Sequence, residues 1–337
     1  MTTTTRLSDI VEPSVFYNYM SKDTTEKTDI FKSGALRMDA ELAAKLAGGG
    51  TTFQVPFWKD LDSAEADIGS DDPAVEGVPA KLSSGKDIAV RQLRTKGFST
   101  ADLSGVIAGS DPMMRIRERV NAFWDRQFQT TMVRTMTGVY LSNVANNSSD
   151  MIHSVATDSS SSVADAELID ADKIIDAAYT MGDNAEGLKI LVMHSTIMKR
   201  LAKLDLITFQ KDSTGQMTIP YYLGKRVVVD DNCRTETGTY RVKYTTYLLG
   251  EGSIGWAESA LPNGVAVERD EAAGNGMGIE TLWTRRQFAM HPYGIKWTGT
   301  TMAANFPSWS ELALSANWSR VYSERKQIPI AFLVTNG

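Results

Sequence analysis

A chain of 337 residues, 42% hydrophobic and 23% charged, has material for a sizeable core and length for two domains. Its net charge of −6 argues against a protein whose main task is gripping nucleic acid, an affinity built on phosphate neutralisation, yet allows one that merely encloses it. The single cysteine, Cys233, excludes an internal disulfide and a cysteine-built zinc cluster, and no apolar run reaches the roughly 18 residues of a membrane span.

The polar start, Met1 to Arg6, has no apolar core for a signal peptide, which places the chain in a cytoplasm by expectation. Residues 1–50 read as an arm. Polar stretches at 1–6 and 21–28 alternate with an aromatic anchor, Phe16, Tyr17 and Tyr19, and with a helical piece at 39–46 closed by Gly48, Gly49 and Gly50. Residues 51–58 and 89–98 are predicted strands, separated by a polar stretch punctuated by Gly69, Pro73, Gly77, Pro79 and Gly85. Charge is segregated along this two-limbed projection. Asp60, Asp62, Glu65, Asp67, Asp71, Asp72 and Glu76 mark the outgoing limb, and Lys81, Lys86, Arg91, Arg94 and Lys96 the return. A charge run ordinarily means a solvated face. A projection with so little apolar content nevertheless gains order by lying on another molecule, where limbs of opposite sign fix orientation.

Residues 111–144 carry apolar side chains at Met113, Ile116, Val120, Phe123, Trp124, Phe128, Met132, Met136, Val139, Tyr140 and Val144. Steps of three or four residues held this long predict one amphipathic helix. Ser110 is the expected N-cap, Asp111 suits the positive dipole end and Pro112 sits where a missing N–H costs nothing. Such a helix spans on the order of 50 Å, and a beam of that length predicts an elongated subunit. Residues 146–162 read as a Ser/Asn-rich connector. A layered α/β unit follows, with a helix at 166–181, a buried-type strand at 189–194, a helix at 196–204 capped by Ser195, and strands at 225–230 and 241–249. Strands at 265–271 and 279–291 flank the glycine-dense turn 272–278, and the chain closes with a short helix near 309–321 and a strand at 328–334.

Candidates for chemistry are few. Gly250, Gly252 and Gly255 match the dinucleotide fingerprint after a strand, but Pro262 and a further strand follow too closely for the phosphate-binding helix. His153, His194 and His291 show no metal-ligand spacing; His194 reads as a loop or capping residue and His291, before Pro292, as a strand end. Asp230 and Asp231 read as a turn rather than a cation site. Arg115 and Arg119 read as one solvated or subunit-facing stripe rather than a phosphate site. No catalytic, cofactor or metal residues are assigned, and the chain is expected not to be an enzyme.

The order of parts resembles the major capsid proteins of tailed bacteriophages, with the Hong Kong 97-type α+β fold. The residues that carry the resemblance are Ile190 to His194 with Leu201 to Leu204, then Ile219, Pro220, Gly224 and Lys225 to Asp230. Glu268 to Glu271, the Gly-rich turn, Thr284 to Phe288 and His291 to Gly294 complete it. The resemblance implies an N-terminal arm (1–50), an extended loop over the adjacent subunit (51–99), a peripheral domain with the spine helix (100–164), an axial domain (165–262), a peripheral hairpin (263–291) and a C-terminal return (292–337). It implies self-assembly as hexamers and pentamers into an icosahedral head enclosing double-stranded DNA without specific recognition, formed in the host bacterial cytoplasm. Implied partners are the chain itself, a separate scaffolding protein (residues 1–50 being too short for a cleaved scaffolding segment), a portal and a decoration protein, with no membrane.

Expected inter-subunit residues are Asp60, Asp62, Asp67, Asp71, Asp72, Arg91, Arg94, Lys96 and Asn275. Reversing Arg91 and Arg94 is expected to impair assembly with little effect on folding. Covalent cross-linking of the kind some relatives use, through Lys81, Lys86 or Lys96 and Asn275, is not expected, since no assisting glutamate is identifiable. The alternatives are an encapsulin-type compartment and, from a different class, an α/β nucleotide-binding enzyme resting on residues 250–255.

Overall fold

The computed structural model describes residues 30, 33–59, 61, 65–66, 68–69, 72, 79–204, 206–210 and 219–337. Most of the arm and the far end of the two-limbed projection, including Asp60, Asp62, Asp67 and Asp71, lie outside the described residues.

The first described elements are β1 (Leu36–Met38) and α1 (Ala40–Ala47), the latter capped by Asp39, whose carboxylate accepts from Glu41 N and Leu42 N. A hairpin of β2 (Thr52–Trp58) and β3 (Ser84–Val90) follows, in register from Thr52 opposite Val90 to Trp58 opposite Ser84. The predicted single strand at 89–98 is in fact two. Arg91 separates β3 from β4 (Gln92–Ala101), because the chain changes partner there, from β2 to the long strand near the C-terminus.

After α2 (Asp102–Ala108) comes the predicted beam, α3 (Pro112–Asn146). Its N-cap is Asp111 rather than Ser110: the Asp111 carboxylate accepts from Met113 N at 2.9 Å and Met114 N at 3.2 Å, leaving Pro112 at the first helical position. The first half of α3 is largely exposed. From Trp124 onward it buries most of its circumference, including Gln129, Thr131, Thr135 and Asn143, which simple amphipathicity does not predict.

The layered unit is built on an eight-stranded sheet ordered β5-β17-β11-β6-β9-β8-β7, with β10 on β11. These strands are β5 (Ile152–Ser154), β6 (Leu188–Met193), β7 (Thr208–Gln210), β8 (Ile219–Tyr222), β9 (Lys225–Val229), β10 (Thr235–Thr237), β11 (Val242–Gly250) and β17 (Ile330–Asn336). Its central strands are buried on both faces, and alternation assigns each side chain a side. Ile190, Val192, Tyr247, Leu249, Ile330 and Phe332 face α3, with Met136 and Val139 in the same core. Leu191, Met193, Leu248, Ala331 and Leu333 face the opposite layer, formed by α4 (Ala171–Tyr179) and α5 (Ser195–Lys203).

A second sheet joins β1, β12 (Ile254–Ser259), β14 (Ile279–Pro292) and β13 (Val265–Asp270), with β4 also on β14. It meets α3 through Trp124 and Phe128; the Phe128 ring lies 4.9 Å from both Trp256 and Phe288. One core therefore runs along the beam from Trp124 to Val139 and unites both sheets.

Three further boundaries differ from expectation. The helix predicted at 166–181 begins only at Ala171, because Asp170 caps it through Lys173 N (3.0 Å) and residues 165–167 form a separate 3-10 turn. The cap of α5 is His194, whose Nδ1 accepts from Thr196 N at 3.1 Å, rather than Ser195. The helix predicted at 309–321 is one turn, α7 (Trp309–Leu312), closed by a Ser308–Glu311 capping box. Asn317 Nδ2 and Trp318 Nε1 then take the Glu311 and Leu312 carbonyls, so the chain passes into β16 (Trp318–Arg320), paired with β15 (Ile295–Trp297).

The Ser/Asn-rich connector is clamped rather than loose. Asp158 accepts from the backbone N–H groups of Thr239, Tyr240 and Arg241, and these bonds lower its pKa. Glu167 accepts from Thr157 Oγ1, Ala164 N and the Arg241 guanidinium, which together hold its carboxyl down to about 2. Because both folded-state pKa values lie below the ordinary carboxylate range, this clamp's contribution is present above that range and is lost as pH falls toward about 2. Glu167→Gln is therefore expected to flatten the fall of Tm with acidification across that window. Parallel slopes for the variant and the unmodified chain would contradict the clamp.

Candidate assembly surface

The base of the β2–β3 hairpin packs on the second sheet, with Phe53 and Ala89 buried against Ala257 and Ala289, and its side chains sort into a fixed root and an open shaft. At the root, Arg91 Nη2 donates to the Leu46 carbonyl at 3.1 Å and to that of Gly48, at the C-terminal end of α1 where carbonyls lack helical partners. Its guanidinium also lies 5.2 Å from the Phe53 ring centroid. On the opposite limb, Asp87 is only 4% exposed; its Oδ2 accepts from Gly294 N at 3.1 Å. The same oxygen sits 2.9 Å from His291 Nε2, off the line of a good hydrogen bond. Phe57 packs edge-on to Tyr322 at 5.1 Å and closely over Gly85, where an added Cβ would stand 2.6 Å from its ring.

Farther out the hairpin is uncovered. Trp58 is 71% exposed and Leu61, Lys81 and Leu82 are exposed; Trp58, Leu61 and Lys81 border a groove of about 1170 Å³ shared with Tyr322 and Glu324. An isolated two-stranded hairpin is marginal in water, and an exposed tryptophan on one is a contact residue in waiting.

The expected inter-subunit residues do not converge on one site. Asp72 is described and exposed; Asp60, Asp62, Asp67 and Asp71 lie outside the described residues. Arg91 and Arg94 are partly buried with partners in their own chain, Arg94 Nη2 donating to the Pro307 carbonyl at 2.7 Å. Burial lowers the pKa of both guanidiniums. Reversing either charge is thus expected to destabilise the subunit as well as affect assembly, a revision the sequence alone does not suggest. Lys96 is exposed on β4. Asn275 occupies a left-handed position (φ 59°) in the turn beyond β13, the end of the sheet where Ala101 pairs with Ile279. Arg91 flanks the other end, where Gln92 pairs with Phe288, about 30 Å away along β4.

The chemistry candidates resolve into structural roles. The nucleotide reading of residues 250–255 is overturned: Gly250, Glu251 and Gly252 turn directly from β11 into β12, and no helix N-terminus follows to receive a phosphate. A Cβ at Gly250 would meet Pro329, and one at Gly255 would meet Tyr293, so both glycines serve close packing. Asp230 is buried, accepts from Gln129 of α3 and from Asn232 N, and anchors a turn. His194 caps a helix and His153 lies 3.9 Å from Asp176.

The described residues thus combine a long beam, a hairpin exposed toward its far end and a second hairpin carried on a sheet. Residues 33–329 match the family model of major capsid protein 13-like (Gp13-like) proteins. Over 327 residues the chain is 37% identical to the major capsid protein of Bacillus phage SPP1, covering 96% of this chain and 95% of that protein. The chain belongs to the Gp13-like major capsid protein family. As a capsid protein of a tailed phage, it is a component of the virion shell. Its fold is that of solved phage capsids. The capsid of Ralstonia phage GP4 matches with TM-score 0.61 at 11% identity over 100% of this chain and 98% of that one. The cyanophage Pam1 capsid matches with TM-score 0.60 at 10% identity over 99% and 98%. At these identities the likeness shows the Hong Kong 97-type fold alone.

Proposed function

We propose that this capsid protein assembles as hexamers and pentamers into an icosahedral head around double-stranded DNA, and that the hairpin of residues 51–99 and the arm of residues 1–50 make the principal contacts between copies. The observation that carries the proposal is the hairpin itself: latched at its root, yet exposing Trp58, Leu61 and Leu82 along its shaft. A rigidly aimed apolar element, uncovered by the described residues of its own chain, fits a neighbour's surface. Asp72 and Lys96, both exposed, and Asn275 at the far hairpin turn are the proposed polar contacts, together with Asp60, Asp62, Asp67 and Asp71 of the outgoing limb.

The same reading makes the division into peripheral part (100–164 with 263–291), axial part (165–262) and C-terminal return (292–337) a mechanical one, with α3 carrying load between them. The task is structural, without a catalytic role. DNA is enclosed without specific recognition, consistent with the net charge of −6. Assembly takes place in the host cytoplasm with a separate scaffolding protein, a portal and a decoration protein as partners.

Trp58→Ala tests the hairpin directly. The side chain is exposed, so the subunit's Tm is expected to stay within about 2 °C of the unmodified chain. Shell yield by sedimentation is expected to fall about tenfold or more, because every subunit in the shell is deprived of the same aromatic anchor. Unchanged yield would remove the hairpin from the account.

A further inference from the structure

The turn from β11 to β12 carries the chain from one sheet to the other, and three cations from three strands meet beside it. Arg37 of β1, Lys189 of β6 and Arg226 of β9 border a hollow of about 640 Å³, with Glu251 the one carboxylate on its lining among the described residues. Two of these cations are held in place. Arg226 is half-buried, and its Nη1 donates to the Ser33 carbonyl at 3.1 Å, which leaves other N–H groups of the same guanidinium to serve a ligand. The stem of Arg37 lies along the bare backbone of Gly252 (φ 65°), where an added Cβ would stand 3.1 Å from Arg37 Cβ and Cδ. Their charge is left over. Lys189 reaches Glu251 only at 3.5 Å, and no carboxylate of the described residues lies within ion-pair distance of Arg37 or Arg226. Asp39 feels the charge of Arg37, but its oxygens are taken by Glu41 N, Leu42 N and the Tyr293 hydroxyl. Guanidiniums elsewhere are matched, Arg269 by Asp102 and Glu271, Arg117 by Glu280 and Arg320 by Asp150. In a chain with a surplus of acid, two unmatched guanidiniums in one hollow call for an anion from outside.

We propose that this hollow binds phosphate, with Arg37, Lys189 and Arg226 as its ligands. A guanidinium presents paired N–H donors that match a phosphate, and an ammonium adds a point charge. One carboxylate brings two oxygens and a single charge, too few for three cations on three strands. A terminal phosphate or a diphosphate brings three or more oxygens and about two charges, and consecutive phosphates of a nucleic-acid strand bring charge in series. The donors are side chains, and no helix N-terminus lies on the lining, which separates this site from the dinucleotide pattern of residues 250–255. A single site of three cations is also far below the array that grips nucleic acid tightly, so it agrees with the net charge of −6.

Pyrophosphate is the probe, applied to free subunits. At about 10 mM it is expected to raise Tm by about 2 °C over sodium chloride of matched ionic strength. Arg37→Gln, at an exposed position without an ion pair, is expected to melt like the unmodified chain in the absence of the probe and to lose at least half of the shift in its presence. Lys189→Gln, also exposed, is expected to do the same and serves where Arg37→Gln fails to fold. No shift in the unmodified chain, or a full shift in a folded variant, would overturn the site. So would polyglutamate that raises Tm more than pyrophosphate does, since the occupant would then be an acidic peptide. A labelled DNA duplex of about 30 base pairs identifies the source of the phosphate. Duplex binding whose salt slope falls by about one in Arg37→Gln assigns the site to nucleic-acid phosphates. A pyrophosphate shift without duplex binding assigns it to a free phosphate compound, and either result supports the site. Every arm uses free subunits, so a failure to form shells would touch the shell reading alone.

Discussion

Gly138→Leu is expected to destabilise the subunit by about 3 kcal/mol or more, combining overpacking with a broken buried hydrogen bond. Gly138 lies within α3, where glycine costs about 1 kcal/mol relative to alanine, so its presence needs a packing reason. That reason is the C-terminal segment. A Cβ at 138 would overlap the Leu312 carbonyl oxygen and the Trp318 indole nitrogen, which are themselves hydrogen-bonded at 2.7 Å. Neither retreats easily. The carbonyl is the last of α7, and Trp318, 1% exposed, stacks edge-on to Trp297 at 5.0 Å across the β15–β16 pair. The effect should appear as a lower denaturant midpoint with little change in slope. Ala122→Leu, on the exposed side of the same helix, is the control and should shift stability by no more than about 0.5 kcal/mol. Equal midpoints for Gly138→Leu and the unmodified chain would mean the C-terminal segment is not docked on the beam.

Asp87→Ala should cost about 1–3 kcal/mol, the range for leaving a buried hydrogen-bonding group without its partner. The carboxylate accepts from Gly294 N and Ile88 N and faces His291, while both members of the pair are nearly sealed from water. Alanine leaves the buried Gly294 N–H and the Ile88 N–H without their acceptor, the costly half of the asymmetry. Asn retains one acceptor oxygen and should fall between. The loss has a location as well as a size: amide exchange at Gly294 and along β3 should accelerate, because this contact ties the hairpin limb to the turn after β14. Unaltered exchange there would show that the hairpin root is held by Arg91 and the Phe57–Tyr322 stack instead.

The parts legible in the sequence are those set by local periodicity. The beam is legible because its apolar steps persist from Met113 to Val139, and the central strands because runs such as Ile190 to Met193 are buried on both faces. The parts that escape depend on partners far away in the chain. Arg91 and Arg94 read as free charges on a returning limb, yet Gln287 faces one from 196 positions on and Pro307 holds the other from 213. No local signal distinguishes a guanidinium bound for a carbonyl from one bound for solvent. Asp87 and His291 escape for the same reason. The apolar face of α2 is legible in principle, since Leu103, Val106 and Ile107 share one helical face; only the structure shows that it points to solvent while Ser104 and Ala108 are buried.

The candidate functional surface is accordingly split. The charged residues picked from the limbs divide into root contacts within the chain and exposed positions such as Asp72 and Lys96. The apolar residues that make the hairpin shaft a candidate contact are not marked by charge segregation at all. An exposed apolar side chain at Trp58 acquires meaning only when the fold shows it uncovered by the described residues of its own chain.

Cryo-electron microscopy of shells formed by the purified chain tests the central claim most directly. The account predicts closed icosahedral particles of hexamers and pentamers in which the β2–β3 hairpin of each subunit lies across its neighbour, with Trp58 buried against it. Particles in which the hairpin contacts only its own subunit, or a chain that stays monomeric or dimeric under these conditions, would contradict it.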